Sequence, residues 1–136
     1  MRITVVAVGR LRPPYVDDLA HYTRMIGRYA QIEIVEVRSD AQLGARIPDR
    51  AFVCLLEVGG VTLDSVAFSH FIQQRRDSGV SLCFALGGPF GELDLPRVDQ
   101  RLSLGAMTLP HQLARVVLLE QLYRAHKIIA GEPYHH

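Results

Sequence analysis

The chain has 136 residues, 49% hydrophobic and 21% charged, with a formal net charge of +1 at pH 7. That length gives a single domain over 1–136 and excludes two of ordinary size, and the composition excludes a disordered chain. The charge balance leaves nucleic-acid binding open, because a local basic patch works without raising the total. No apolar segment approaches the roughly 20 residues needed to span a bilayer. The apolar run at the start breaks at once into Arg10 and Arg12 without a cleavage-site pattern, so a soluble, cytoplasmic protein is expected, with no membrane partner.

The first β-like run is 3–8, ending at Gly9. In 14–29 Tyr15, Leu19, Tyr22, Met25 and Ile26 recur at helical spacing, which predicts a crossover helix into a second strand at 32–37. Segment 38–50 carries Gly44 and Pro48 without a helical period and reads as a loop or a single turn. A third strand is expected at 51–57. After the Gly59-Gly60 turn, Val66, Phe68, Phe71 and Ile72 predict a helix over 64–77, closed by Ser78-Gly79. The fourth strand is 80–86. Beyond it come Gly87-Gly88-Pro89-Phe90-Gly91, a short segment at 95–101 read as helical, a fifth strand around 103–108 and a long helix over 111–129. Several of these runs are apolar on both faces, as in a covered parallel sheet. The order predicts an α/β fold, a mostly parallel sheet with helices on both faces, with ligands bound in the loops after Glu57, Leu86 and the fifth strand. Cys54 and Cys83 lie inside apolar runs with no ligand partner at metal spacing, so buried reduced thiols and no metal site are expected.

The stretch 104–124 is the most informative. Pro110 suits the first turn of a helix, which makes the loop before it a defined turn. From Leu113 onward nearly every uncharged position is apolar, so burial on more than one side is expected. His111 and Arg115 lie four apart on one face, and an ion pair between Arg115 and Glu120, inside the chain or across two copies of it, would satisfy a buried charge.

The glycine run alone is weak, since it matches neither dinucleotide nor P-loop spacing. It does not stand alone. Ala7-Val8-Gly9, Gly87-Gly88-Pro-Phe-Gly91, Met107-Thr-Leu-Pro-His111, Arg115-Val-Val-Leu-Leu-Glu120-Gln-Leu-Tyr-Arg124-Ala125 and the ending Glu132-Pro-Tyr-His-His136 occur in order. Together they resemble the RlmH family, SPOUT-class methyltransferases that methylate N3 of a pseudouridine in helix 69 of 23S rRNA. The resemblance implies a SPOUT fold with a C-terminal trefoil knot, a homodimer, S-adenosylmethionine as cofactor and 23S rRNA in the 70S ribosome as partner. It places the cofactor on Leu56, Gly88, Leu104, Gly105, Ala106, Met107, Thr108 and Leu109. Backbone groups there would bond the adenine edge while Leu56, Met107 and Leu109 cover its faces.

Under the same resemblance His135 is the first candidate for substrate contact, either as the base or as a residue that orients the tail or touches phosphate. Tyr134 stacks on a base or packs on the domain, and Arg115 positions substrate or serves the fold. His111 reads as support for the cofactor loop. Arg124 and Lys127, and more weakly Arg10 and Arg12, are phosphate candidates. His21, His70 and His126 read as surface or partly packed residues. Three features depart from the family pattern: 38–50 is short, so a crossover helix is missing; Glu57 stands where aspartate is common; and His136 replaces a basic terminal residue. Rival readings are a non-catalytic ribosome- or RNA-binding homodimer, and a methyltransferase for another RNA or a small molecule.

Overall fold

β-branched residues fill the first strand, and in β1 (Arg2–Val8) every side chain from Ile3 onward is buried, as a strand covered on both faces requires. The computed structural model describes residues 1–88 and 95–136. In it β1 is joined by β2 (Gln31–Val37), β3 (Phe52–Thr62), β4 (Leu82–Leu86) and β5 (Gln100–Ser103). All pairings are parallel, in the order β2-β1-β4-β3-β5. The central β4 is buried throughout, whereas the edge strand β2 alternates between exposed and partly buried over its first half.

The helices are α1 (Tyr15–Ile26), α2 (Asp40–Leu43), α3 (Ser65–Ser78) and α4 (His111–Ala130). Three of them, α1, α3 and α4, close one face of the sheet around Ile3, Val5, Phe84, Ile72, Leu118 and Leu122. Asp64 caps α3 by accepting the Ala67 amide at 2.8 Å, and Gly79 ends it at a φ of 73°, a left-handed stop that favours glycine. The other face is thinner. Leu43 of α2, Ile47, Leu95 and Val98 cover Val6, Val35, Val37, Cys83 and Ala85 there. The chain from β2 to β3 must cross three strand spacings, roughly 14 Å, and the short helix α2 with a 3-10 turn at Gly44–Arg46 is enough to do it. The segment 38–50, expected as a loop or a single turn, thus holds one short α-helical turn and a 3-10 turn after it.

Two expectations are corrected. The fifth strand is Gln100–Ser103, not 103–108, because 104–109 is loop; and 95–99 holds no helix. Leu102 is the apolar residue that β5 contributes to the core, and the glycine and proline that follow suit a turn rather than a ladder. The apolar excess of α4 is also distributed differently from the expectation. Its buried residues lie toward the sheet, while Leu113, Val116, Val117 and Ile128 stay half-buried. Cys54 and Cys83 are buried on opposite faces, where burial pushes both thiols up to about 12. No helix among the described residues is long and apolar enough to cross a membrane, and no group of three His, Cys, Asp or Glu among them could hold a metal ion.

A cleft at the strand ends and a clamp at the C-terminus

Parallel strands place their loops together at their carboxyl ends, and here residues 55–58 of β3 and the loops after β4 and β5 surround a cleft of about 1120 Å³. Leu55 and Leu56 form one wall, Leu86, Gly87 and Gly88 the next, and the loop after β5 with His111 and Ala114 of α4 the third. Every residue expected to hold the cofactor lines this cleft except Ala106, which is exposed beside it. Pro89, Phe90 and Gly91 of the glycine run lie outside the described residues.

The loop 104–109 is fixed at its root. Ser103 is buried, its hydroxyl donates to the Gly105 carbonyl at 2.8 Å and accepts the Gly105 amide at 3.1 Å, and Gly105 takes a φ of 143°. Among the described residues the backbone groups of 106–109 make no hydrogen bond, so they stand available at the cleft. Met107 is 83% exposed, a large apolar side chain left over the opening. The floor of the loop is held by β3, whose pairing with β5 slips between Leu56 and Val61. At Gly60 a Cβ would sit 2.7 Å from the backbone of Arg101 and Leu102, so only glycine allows that approach. Glu57 accepts from Arg101 at 2.9 Å, and both line the cleft, one acidic and one basic group at its mouth.

Arg115 lies beneath the cleft. Its side chain is 1% exposed and donates to Glu36 at 2.8 Å and to the carbonyls of Val8 and Gly9 at 3.0 Å each. The same Glu36 oxygen accepts the Leu11 amide at 2.9 Å. Arg115 thus ties α4 to the ends of β1 and β2; burial lowers its pKa, and Glu36 offsets only part of that. The expected pairing of Arg115 with Glu120 is not formed inside the chain, because Arg115 bonds the strand ends and Glu120 bonds Arg124 and Tyr134. Sequence reasoning missed Glu36, which looks like Glu33 three residues earlier, one more acid on an edge strand.

The far end of α4 carries a second cluster. One Glu120 oxygen accepts from Arg124 Nη2 at 2.7 Å, Arg124 Nε at 3.0 Å and the Tyr134 hydroxyl at 3.1 Å. The other Glu120 oxygen accepts from Gln121, which in turn accepts from Ser65 of α3. Tyr134 packs edge-on against Tyr123 with Arg124 over its ring. Burial, then the Glu120 charge, pushes its phenol up to about 12, so it stays a donor at neutral pH. Arg124 Nη1 lies 3.0 Å from His135 Nδ1. A guanidinium only donates, so Nδ1 accepts and the neutral ring carries its proton on Nε2. Lys127 bonds Glu132 at 3.0 Å and is raised by its contacts to Tyr29 and Glu132. Arg124 and Lys127 therefore serve the clamp that folds the tail back. Arg10 and Arg12 are exposed. His126, expected at the surface or partly packed, is instead 1% exposed, stacked on Tyr29, with neither ring nitrogen bonded among the described residues; burial pulls its pKa down to about 4.

A family model described as "Predicted SPOUT methyltransferase" matches residues 1–135. The chain is 39% identical to a ribosomal RNA large subunit methyltransferase H of Carboxydothermus hydrogenoformans, with 99% of each chain covered. A protein of the same name from Solidesulfovibrio magneticus is 42% identical with 98% of each covered, and one from Listeria monocytogenes 38% identical with 99% of each covered. These alignments run over 153 to 158 positions against 136 residues here, so this chain is the shorter partner. The parallel sheet, the cleft at its strand ends and this full-length match agree: the chain belongs to the SPOUT methyltransferases, in the RlmH family.

Proposed function

We propose that this protein is an S-adenosylmethionine-dependent methyltransferase that methylates N3 of a pseudouridine in helix 69 of 23S rRNA, acting as a homodimer on the assembled 70S ribosome. The observation that carries this reading is the loop 104–109, whose backbone at 106–109 makes no hydrogen bond among the described residues and borders an apolar-walled cleft in a chain matched end to end by relatives named for large-subunit rRNA methylation. The cleft fits the cofactor: Leu56, Leu86 and Leu109 offer flat apolar cover, and the backbone at 106–109 offers donors and acceptors for a purine edge. When bound, S-adenosylmethionine supplies an electrophilic methyl group on a sulfonium. The same reading includes the trefoil knot, supported by the return of α4 from the β5 edge to pack on α1 and α3.

Geometry favours a second copy in the site. His135 is held at Arg124, thirteen residues along α4 from His111 at the cleft, a distance of roughly 20 Å in a helix rising 1.5 Å per residue. That span separates a chain's clamp from its own cleft, which supports a site completed by the tail of a second copy. The half-buried apolar side of α4 is the surface that suits such pairing. In that arrangement His135 Nε2–H donates to a carbonyl of the base beside N3. The proton of N3 leaves to water, the donor stabilises the resulting anion, and the N3 lone pair is aligned with the methyl carbon.

The test is transfer of labelled methyl from S-adenosylmethionine to 70S ribosomes lacking the modification, with the product nucleotide mapped by mass spectrometry. Label on N3 of the helix 69 pseudouridine, with little transfer to naked rRNA, is expected. Cofactor uptake without transfer would move the reading to a non-catalytic RNA-binding homodimer or another substrate. His135→Ala is expected to keep cofactor affinity and reduce turnover; a matching loss of both would put His135 in the cofactor pocket or the fold.

A further inference from the structure

Asp40 begins α2 inside the short crossing from β2 to β3, and its Oδ1 accepts the amide proton of Gly88 at 3.0 Å. Gly87 and Gly88 line the cleft, and Asp40 does not. In a trans peptide the N–H and C=O point to opposite sides. A bond that draws the Gly88 N–H to Asp40 therefore turns the Gly87 carbonyl away from Asp40. The segment is also pressed in place: a Cβ on Gly88 would meet Val8 Cγ1 at 3.3 Å and Asp40 Oδ1 at 3.9 Å. Two adjacent glycines have wide backbone freedom, so without such a latch the peptide would have to be ordered at each binding event.

We propose that Asp40 is a positioning residue of the cofactor cleft, latching the Gly87–Gly88 peptide so that the Gly87 carbonyl stands as a fixed acceptor for an N–H donor of the bound cofactor. This rests on the reading of the cleft as the S-adenosylmethionine site. It gives the shortened crossing a task beyond linking two strands, because the residue that sets the glycine loop is carried on it. Asparagine at this position keeps an acceptor oxygen and alanine does not, so the pair separates the hydrogen bond from the charge and from the fold.

The experiment is calorimetric titration of the full chain with S-adenosylhomocysteine, for wild type, Asp40→Ala and Asp40→Asn, beside thermal melting and amide exchange at Gly88. Loss of one such bond is expected to raise the Kd of Asp40→Ala about tenfold. Asp40→Asn should bind close to wild type, both variants should melt near wild type, and only Asp40→Ala should speed exchange at Gly88. Repeating the titration with the inosine analogue identifies the donor: an effect that vanishes names the adenine amino group, and one that persists names the amino-acid ammonium. Equal affinity of Asp40→Ala and wild type, or equal losses in both variants, overturns the role of Asp40 alone. Wild type that takes up no S-adenosylhomocysteine overturns the cofactor reading itself.

Discussion

Arg115 near the start of α4 is 1% exposed, while Arg124, nine residues on, keeps 24% of its side chain in water. Both carry the same charge and both pair with a glutamate. Arg115 also donates to two strand-end carbonyls, so its removal leaves several buried groups without partners. Arg124 engages a glutamate four residues earlier and two residues of the tail, all reachable by water. The first is a rivet between elements distant in sequence, and the second is a clasp that holds a short tail. One helix thus carries a rigid end at the cleft and a releasable end at the terminus.

The largest effect that would break this contrast comes from Arg115→Met. It is expected to cost about 3 kcal/mol in chemical denaturation, since breaking a buried pair from one side leaves its partners uncompensated. A variant as stable as wild type would make Arg115 a mere surface charge. Glu36→Gln should cost less, because its amide oxygen still accepts.

His126 gives the next effect. Its folded pKa of about 4 lies below the ordinary histidine value of 6.5, so the unfolded chain binds the extra proton between those limits. Its contribution to stability is complete above pH 6.5 and falls as the pH drops toward 4. From pH 7 to pH 5 the expected loss is about 2 kcal/mol. His126→Phe should flatten that slope, and an unchanged slope would assign the acid sensitivity to other groups.

Glu120→Gln should have the smallest effect on stability, under about 1 kcal/mol, as befits a partly solvated pair. Yet it should loosen the tail, seen as faster amide exchange at 134–136, and lower turnover while cofactor affinity stays at the wild-type level. A loss of more than about 3 kcal/mol, the scale of a buried pair, would erase the distinction between rivet and clasp.

Much of this was legible in the chain. Runs such as Ile3, Val5 and Val6 beside Leu82 to Leu86 announce strands covered on both faces, because a parallel sheet leaves neither face to water. The cleft was legible through the glycines after β4 and the Gly105 to Pro110 loop, where residue type limits backbone shape. The fifth strand was misplaced because only Leu102 and its register with Leu56 mark it, and four residues give too little period to read. His126 was misread because a histidine amid apolar neighbours on a helix gives no sign of which side faces the sheet.

The sequence by itself determined the α/β class, the first four strands, the three long helices, the short crossing at 38–50 and the family. These follow from side-chain periodicity, turn residues and motif order, all local properties of the chain. Only the tertiary structure decided that Arg115 pairs with Glu36, that Asp40 meets Gly88, that Ser103 pins the loop after β5 and that the tail folds onto Glu120. The Glu36 and Asp40 contacts join residues 79 and 48 positions apart. Ser103 and Gly105 are neighbours, but a hydroxyl turned inward depends on the packing around it. Which polar partners meet is set by where the sheet brings its strand ends together, and no local pattern encodes that.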